Sequence, residues 1–279
     1  NNSNIHTLTD SIRGTNSQLS SNNTGAQTAG AANVTSFNSN GFSLGDAGNT
    51  NTSGQTYVAW CWKAGGLSAI NNEGSIESIV SANPAAGFSV VSWTGLGNNG
   101  QTVGHGLGTA AAPAVPELII TKVRNIAGES WYTYSEEIGN TKFLSLNSTA
   151  AAQTAQQAGY SAGSNWWNDT SPTSSVFSLG NIAEIKSHNH VAYCFHSVAG
   201  YQKIGSYTGN GNINGPTETL GFEPGFLMIK DTSSADAWVI YDSARNTSNP
   251  RSCHLRPNSS AAEYCGTPDS VNFNSNDFQ

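Results

Sequence analysis

Short apolar runs separated by turn-forming residues recur along the whole chain. The runs at 88–93, 117–122 and 226–230 are rich in β-branched and aromatic residues. Between such runs lie pairs such as Asn99-Gly100 and Asn210-Gly211, which supply the positive φ angles that tight hairpins need. The pattern predicts β-strands joined by turns.

Two segments alone have the composition of a helix. They are 147–159, with its Ala and Gln run, and 259–264, and each is long enough for a few turns at most. We therefore predict an all-β fold, built from tandem antiparallel β-sandwiches of jelly-roll or lectin-like kind.

Several runs occur more than once with nearly the same sequence. The matching segments are 37–42 with 273–278, 41–46 with 176–181, 57–62 with 191–195, 91–95 with 205–209, 116–122 with 224–230, and 131–136 with 238–243. These matches indicate a repeating unit of roughly 110 residues.

The repeat divides the chain unevenly. Residues 1–66 form the second half of a repeat, 67–86 a linker that could add one edge strand, 87–200 a complete β-sandwich repeat, and 201–279 the first part of a further one. Two interpretations stay open. In the first, the chain is cut from a longer polypeptide, or its end units are completed by another chain. In the second, the two ends of the chain assemble into one domain in permuted order.

The chain contains few charged residues, and this disfavours some classes of function. Its 279 residues include 11 Lys and Arg and 18 Asp and Glu, for a net charge of −7. So few basic residues cannot form a positively charged surface that binds a phosphate backbone. The negative net charge also disfavours binding to anionic lipid surfaces. No apolar stretch is long enough for a spanning helix. We expect neither a nucleic-acid partner nor membrane insertion.

The titratable residues do not form a recognisable catalytic set. Glu136 and Glu137 are neighbours, and neighbouring strand residues point to opposite faces, so we interpret them as turn acids. His188 and His190 share a strand face but lack a third ligand, so we interpret them as solvated loop histidines. His105 is interpreted as a packing or hydrogen-bonding residue. We expect no catalytic residue, no metal and no cofactor.

The four cysteines fall into two pairs. Cys61 and Cys194 occupy matching positions between aromatic residues and are predicted to be small buried residues in separate cores. Cys253 and Cys265 bracket an 11-residue loop and could form a disulfide under oxidising conditions.

The segment Trp166-Trp167-Asn168-Asp169 is the candidate binding surface. If the two indoles lie on a strand, one of them faces away from the core, and exposed aromatic rings beside amides suit the faces of sugars. The alternative is that a loop folds the second indole inward as a lid. Eight Asn-x-Ser/Thr sequons also occur, a number that the Asn, Ser and Thr content explains.

The sequence resembles a repeat domain of uncharacterised function. The resemblance is carried by 55–66, 103–108, 143–147, 167–177 and 238–245, and it extends over nearly the whole chain. The domain is common in predicted tail-fibre and other virion structural proteins of marine tailed phages, including those of cyanobacteria. The resemblance implies a virion setting but brings no functional residues with it. The Ala-rich insert 109–115 departs from the matching segment 220–223.

We therefore expect a non-enzymatic virion protein, a β-sandwich module of a tail fibre or appendage with a role in host attachment. Its expected partners are further copies of itself, other virion proteins and a host surface glycan. The alternative is a carbohydrate-binding, lectin-like module that recognises such glycans. A glycan hydrolase is a third possibility, but it lacks a suitable pair of acids.

Overall fold

The computed structural model describes residues 4–30, 33–108, 112–181, 187–266 and 269–279. Strands and turns dominate it, and the predicted all-β class is confirmed. The strands are β1 (Thr7–Leu8), β2 (Ser17–Ser20), β3 (Thr28–Ala29), β4 (Val34–Asn38), β5 (Gly41–Leu44), β6 (Ala69–Asn71), β7 (Ser78–Asn83), β8 (Phe88–Thr94), β9 (Gln101–Gly104), β10 (Leu118–Val123), β11 (Trp131–Ser135), β12 (Leu144–Ser145), β13 (Val176–Leu179), β14 (Asn189–Phe195), β15 (Glu218–Thr219), β16 (Phe226–Ile229), β17 (Val239–Asp242), β18 (Cys253–His254), β19 (Tyr264–Cys265) and β20 (Asp277–Phe278). One short helix, α1 (Gly48–Asn51), and two 3-10 turns, Pro84–Ala86 and Glu136–Ile138, complete the described elements.

A seven-stranded antiparallel sheet forms the largest element, in the order β12-β11-β10-β14-β8-β7-β6. Its central strands β8, β10 and β14 are buried at almost every position, because both faces of the sheet are covered. Alternate residues therefore enter two different cores: Val91 and Ile119 face one, and Val90 and Ile120 face the other.

The segment 67–86 does not behave as a linker. It contains β6 and β7, and β7 pairs with β8 along six residues, from Ser78 opposite Trp93 to Asn83 opposite Phe88. Ser78, Val80 and Ser81 are buried in the resulting sheet. The sequence analysis allowed for one edge strand in this segment, and the structure contains two, of which β6 lies at the edge. Backbone hydrogen bonds in a sheet do not depend on apolar side chains, so a polar and glycine-rich segment can form them.

Smaller sheets surround the large one. β1, β2 and β3 form a three-stranded sheet, and the other pairs are β4-β5, β9-β13, β15-β20, β16-β17 and β18-β19. A third core lies in the last part of the chain and is centred on Tyr241, Val271, Phe273 and Phe278.

Three hairpins, from the beginning, the middle and the end of the chain, are built alike. Their matching cross-strand pairs are Gln18 with Thr28, Phe143 with Gln153, and His254 with Tyr264. In each hairpin an asparagine side chain accepts a hydrogen bond from the backbone N–H of an earlier residue: Asn22 from His6 (3.3 Å), Asn147 from Trp131 (2.7 Å) and Asn258 from Trp238 (3.0 Å). We refer to these as the first, second and third hairpins.

The three hairpins also contact one another in the same way. The indole N–H of Trp131 donates to the carbonyl of Ser20 in the first hairpin (2.9 Å), and that of Trp238 donates to the carbonyl of Ser145 in the second (3.1 Å). His6 Nε2 lies 3.1 Å from the carbonyl oxygen of Arg256 in the third. The contacts therefore run from each hairpin to the next and close a ring.

The hairpins correct the two helical predictions. Residues 147–159 and 259–264 form turns and short paired segments, and neither contains a helix. Ser148 and Ser259 each accept, through the side-chain oxygen, a hydrogen bond from the backbone N–H two residues later (3.1 Å in both). These local bonds compete with helix formation, as small polar side chains commonly do.

Candidate functional site

The predicted sugar surface is buried. Trp166 and Trp167 are 5% and 1% exposed, and Trp166 stacks on Tyr132 with ring centroids 3.4 Å apart. Trp167 meets the ring of Tyr134 edge-on at 5.6 Å. Neither indole face is open to a sugar ring, so the expectation of an exposed aromatic platform here is corrected.

The local backbone explains why both indoles turn inward. Residues 164–169 form a turn rather than a strand, so the alternation of faces that applies to a strand does not apply to them. Asn168 and Asp169 have φ angles of 53° and 46°, in the left-handed region, and the chain reverses there. Asp169 is exposed and accepts a hydrogen bond from Asn165 (3.3 Å).

A cleft lies beside the second hairpin, with a volume of about 340 Å³. Tyr132 and Phe143 contribute its aromatic lining, and Gln153, Gln157 and Tyr160 its more exposed part. The hydroxyls of Tyr132 and Tyr160 are hydrogen-bonded at 2.8 Å. Burial, followed by this bond, raises the pKa of Tyr132, so its hydroxyl stays protonated. The cleft thus combines aromatic rings, amides and neutral hydroxyls.

A second cleft of about 350 Å³ lies at the matching place beside the first hairpin. Its lining includes the polar residues Gln18, Asn23, Thr28, Asn33 and Asn49. Gln18 pairs with Thr28 across the first hairpin as Phe143 pairs with Gln153 across the second. We call these two the hairpin clefts. They were not predicted, although two of the eight sequons, at Asn22 and Asn147, mark the hairpins that form them.

The histidines are held within the fold. His105 is fully buried; its Nε2 lies 3.0 Å from the carbonyl oxygen of Thr173, and its Nδ1 accepts from the N–H of Leu107 at 3.1 Å. Burial lowers the pKa of His105 to about 4. His190 is 3% exposed and stacks on Trp93 at 4.9 Å, so the interpretation of it as a solvated loop histidine is wrong. Its place in β14, paired with β8, accounts for the burial.

Glu136 and Glu137 are exposed and lie in a 3-10 turn directly after β11. Glu137 accepts a hydrogen bond from the Ser206 hydroxyl (2.6 Å). Sequence reasoning missed Lys122, which is 1% exposed and donates from Nζ to the carbonyl of Val123 (2.7 Å). Burial lowers the pKa of this amine to about 8.

Two acid–arginine pairs have the same local geometry. Asp10 accepts from the backbone N–H of Arg13 at 2.9 Å and from its Nε at 2.5 Å, and Asp242 accepts from Arg245 at the same two distances. An aromatic donor completes each pair: the Tyr193 hydroxyl bonds Asp10 (2.9 Å), and the Trp60 indole bonds Asp242 (3.2 Å). These pairs tie strand ends to neighbouring segments.

Cys253 and Cys265 are cross-strand neighbours in the third hairpin and form a disulfide. Glu263 lies close enough to make them a potential three-ligand group, the one such group found within the described ranges. The sulfurs are bonded to each other and Glu263 pairs with Arg245, so this group is not arranged to hold an ion. Cys194 is buried as predicted, but Cys61 is exposed, because 57–62 does not form a strand.

The fold and these contacts define an all-β protein whose buried polar side chains hold loops and strand ends in place, with two clefts beside its hairpins. The chain belongs to the family described as "Domain of unknown function (DUF7483)", whose model matches residues 1–279. No match to the chain was found among curated proteins or among solved structures. Within the described residues, no helix is long and apolar enough to span a bilayer.

Proposed function

We propose that this protein is a non-enzymatic structural module of a virion, located in a tail fibre or another appendage. The ring of hairpin contacts supports this most, because it fastens the beginning, middle and end of the chain together through backbone carbonyls, ring N–H groups and buried apolar residues. Such contacts are little affected by the screening of charges in a saline medium. The resemblance to virion proteins supports the same setting.

Exposed apolar residues support assembly into homo-oligomers and with other virion proteins. Ile70 in β6 and Ile79 in β7 are 64% and 44% exposed, and Leu67 just before them is 98% exposed. β6 is an edge strand of the large sheet, and an exposed apolar edge favours association. Sedimentation velocity should show oligomers whose fraction rises with concentration. A compact monomer at every concentration would contradict the proposed assembly.

The proposed location can be tested on particles. Antibodies raised against the purified protein should label an appendage of tailed-phage virions that encode a chain of this family, as seen by electron microscopy. Labelling restricted to infected cells, with none on purified particles, would contradict a virion role. Antibodies pre-absorbed with the protein serve as the control.

A second candidate function is carbohydrate binding, and the hairpin clefts are the observation that favours it. In the cleft of the second hairpin, the accessible ring of Tyr160 can stack on a sugar, and the amides of Gln153 and Gln157 can hydrogen-bond to it without a net charge. The cleft of the first hairpin offers amides and hydroxyls but no aromatic ring. The clefts replace Trp166 and Trp167 as the proposed site for a host surface glycan. This role is compatible with a fibre that attaches to its host.

An array of host-derived polysaccharides tests the second candidate. Tyr160→Ala should reduce binding at least about tenfold, because it removes an accessible ring and its hydroxyl from one cleft. Tyr201→Ala is the matched control, since Tyr201 is 56% exposed and does not line either cleft. Binding that is unaffected by Tyr160→Ala, or no binding by the wild type, would exclude the cleft as the site.

A further inference from the structure

The same six-residue sequence pattern occurs at two places in this chain with opposite burial. Residues 37–42 read Phe-Asn-Ser-Asn-Gly-Phe, and residues 273–278 read Phe-Asn-Ser-Asn-Asp-Phe. Both form a tight turn with the phenylalanines opposite each other, Phe37 across from Phe42 and Phe273 across from Phe278. The two turns are therefore equivalent in sequence and in backbone pairing.

The later turn is covered and the earlier one is open. Phe273 and Phe278 are 3% and 8% exposed, whereas Phe37 and Phe42 are 48% and 37% exposed. Leu44, at the end of β5, is also 40% exposed. We call Phe37, Phe42 and Leu44 the open hairpin face.

One segment of the chain covers Phe278 in the later turn, whereas Phe273 also lies under Arg251 and packs in the core with Tyr241 and Val271. β15 pairs with β20, placing Glu218 opposite Phe278, and the N–H of Leu220 donates to the carbonyl of Asn276 (2.8 Å). The ring of Tyr207 meets that of Phe278 edge-on at 5.7 Å, and Leu220 packs against the core around Phe273. The contacts of this segment with the later turn run from Tyr207 to Gly221. We call 203–222, which includes these residues, the covering segment.

A third example shows the same arrangement. β13 matches β5 in sequence, and both are followed by a glycine whose N–H donates to a carbonyl: Gly180 to Trp166 (2.7 Å) and Gly45 to Asn33 (3.1 Å). The other edge of β13 pairs with β9, and its Phe177 is fully buried. Among the described residues, β4 is the one strand paired with β5.

From these comparisons we infer that the open hairpin face is a docking surface for a β-strand of a different polypeptide of the same family, with the sequence character of 203–222. A second copy of this chain does not supply that strand, because its own Tyr207, Glu218 and Leu220 are already placed on the later turn. The incoming strand pairs with the free edge of β5 and places an aromatic and an aliphatic side chain over Phe42, as Tyr207 and Leu220 do around Phe278. Burying the three apolar side chains would stabilise the complex in proportion to the area removed from water. The inference depends on the burial comparison and not on a virion location.

A synthetic peptide with the sequence of residues 203–222, added to the full chain, tests the inference. Saturable binding should slow amide hydrogen exchange in β5 by roughly tenfold or more, because edge amides that were exposed become bonded. A peptide with serine in place of the tyrosine and leucine that correspond to Tyr207 and Leu220 should not protect β5.

Variants of the chain locate the site. Phe42→Ser should abolish the protection, whereas Tyr201→Ser, which changes an exposed aromatic residue elsewhere, should leave it unchanged. Far-ultraviolet circular dichroism should show the same spectrum for both variants as for the wild type. Absence of binding, or binding unaffected by Phe42→Ser, would overturn the inference. Self-association of the chain without peptide that Phe42→Ser abolishes would also overturn it, by assigning the face to a second copy.

Discussion

His105 is buried between two loops with a partner at each ring nitrogen, so its chemistry is fixed by its surroundings. The ring accepts at Nδ1 from Leu107, and its Nε2 lies 3.0 Å from the carbonyl of Thr173, an arrangement suited to the neutral form with the proton on Nε2. Burial lowers its folded-state pKa to about 4, below the ordinary value of 6.5. The buried neutral ring of His105 therefore contributes its full stabilisation above pH 6.5. This stabilisation is lost as the pH falls towards 4, because the unfolded chain binds a proton that the folded chain does not.

We expect the free energy of unfolding to decrease by up to about 3 kcal/mol from this residue as the pH is lowered through that range. Urea unfolding at successive pH values measures it. The free energy of unfolding of His105→Gln should depend less steeply on pH than that of the wild type, and Tyr201→Ala, at an exposed position elsewhere, serves as the control. Equal slopes for the wild type and His105→Gln would contradict the assignment.

Trp131 and Trp238 have equivalent surroundings despite lying in different parts of the chain. Replacing either with Phe removes the indole N–H and leaves a carbonyl in the neighbouring hairpin without that donor. The loss should cost about 1 to 3 kcal/mol in each case. Chemical unfolding measures both, with Trp62→Phe as the control because Trp62 is 41% exposed. A negligible change in the free energy of unfolding for both variants would mean that these hydrogen bonds do not hold the three hairpins together.

At the scale of elements, the asparagine that orients each hairpin is the shared feature. Asn147→Ala and Asn258→Ala should each destabilise the fold by about 1 to 2 kcal/mol, because a backbone N–H loses its acceptor. Asn212→Ala is the control, since Asn212 is exposed and lies outside the hairpins. Thermal and urea unfolding give the comparison. Equal stability of all three variants would show that these side chains are dispensable.

The disulfide belongs to one hairpin of the three. The first and second hairpins have Ser17 with Ala29 and Lys142 with Thr154 at the places of Cys253 and Cys265, so their geometry does not need a covalent link. The double variant Cys253→Ser and Cys265→Ser should therefore keep the fold, with a loss of at most about 3 kcal/mol for a loop of this length. Circular dichroism and urea unfolding measure this. Loss of folded structure would show that the link is required.

The whole molecule depends little on charged contacts. Within the described residues, ion pairs are formed by Arg13 with Asp10 and by Arg245 with Asp242 and Glu263, and the first pair is nearly inaccessible to solvent. Buried pairs are screened much less than exposed ones. The free energy of unfolding should change by less than about 1 kcal/mol between about 0.01 M and about 1 M NaCl. A change of several kcal/mol would contradict a fold held by apolar and backbone contacts.

Part of the recurrence was visible in the sequence, and part was not. The match between the segments at Trp131 and Trp238 is reproduced in their hydrogen bonds, whereas Phe42 and Phe177, which match in sequence, differ in burial and strand pairing. The boundaries of the 110-residue unit stay a prediction. The hairpin motif was concealed because its shared residues are small and polar, in a chain where Asn, Ser and Thr are common everywhere.

The sequence by itself determined the strand class, the low charge and the positions of the main apolar runs, because these depend on local side-chain pattern. The tertiary structure alone decided which apolar residues are covered. Trp166 and Trp167 turn into a core through a reversal of the backbone, and 67–86 joins the sheet through main-chain bonds. Two nearly identical phenylalanine turns differ in burial because only the later one lies in a core and under a further strand. The burial of a side chain depends on contacts with residues distant in the sequence, and the local sequence pattern does not predict these contacts.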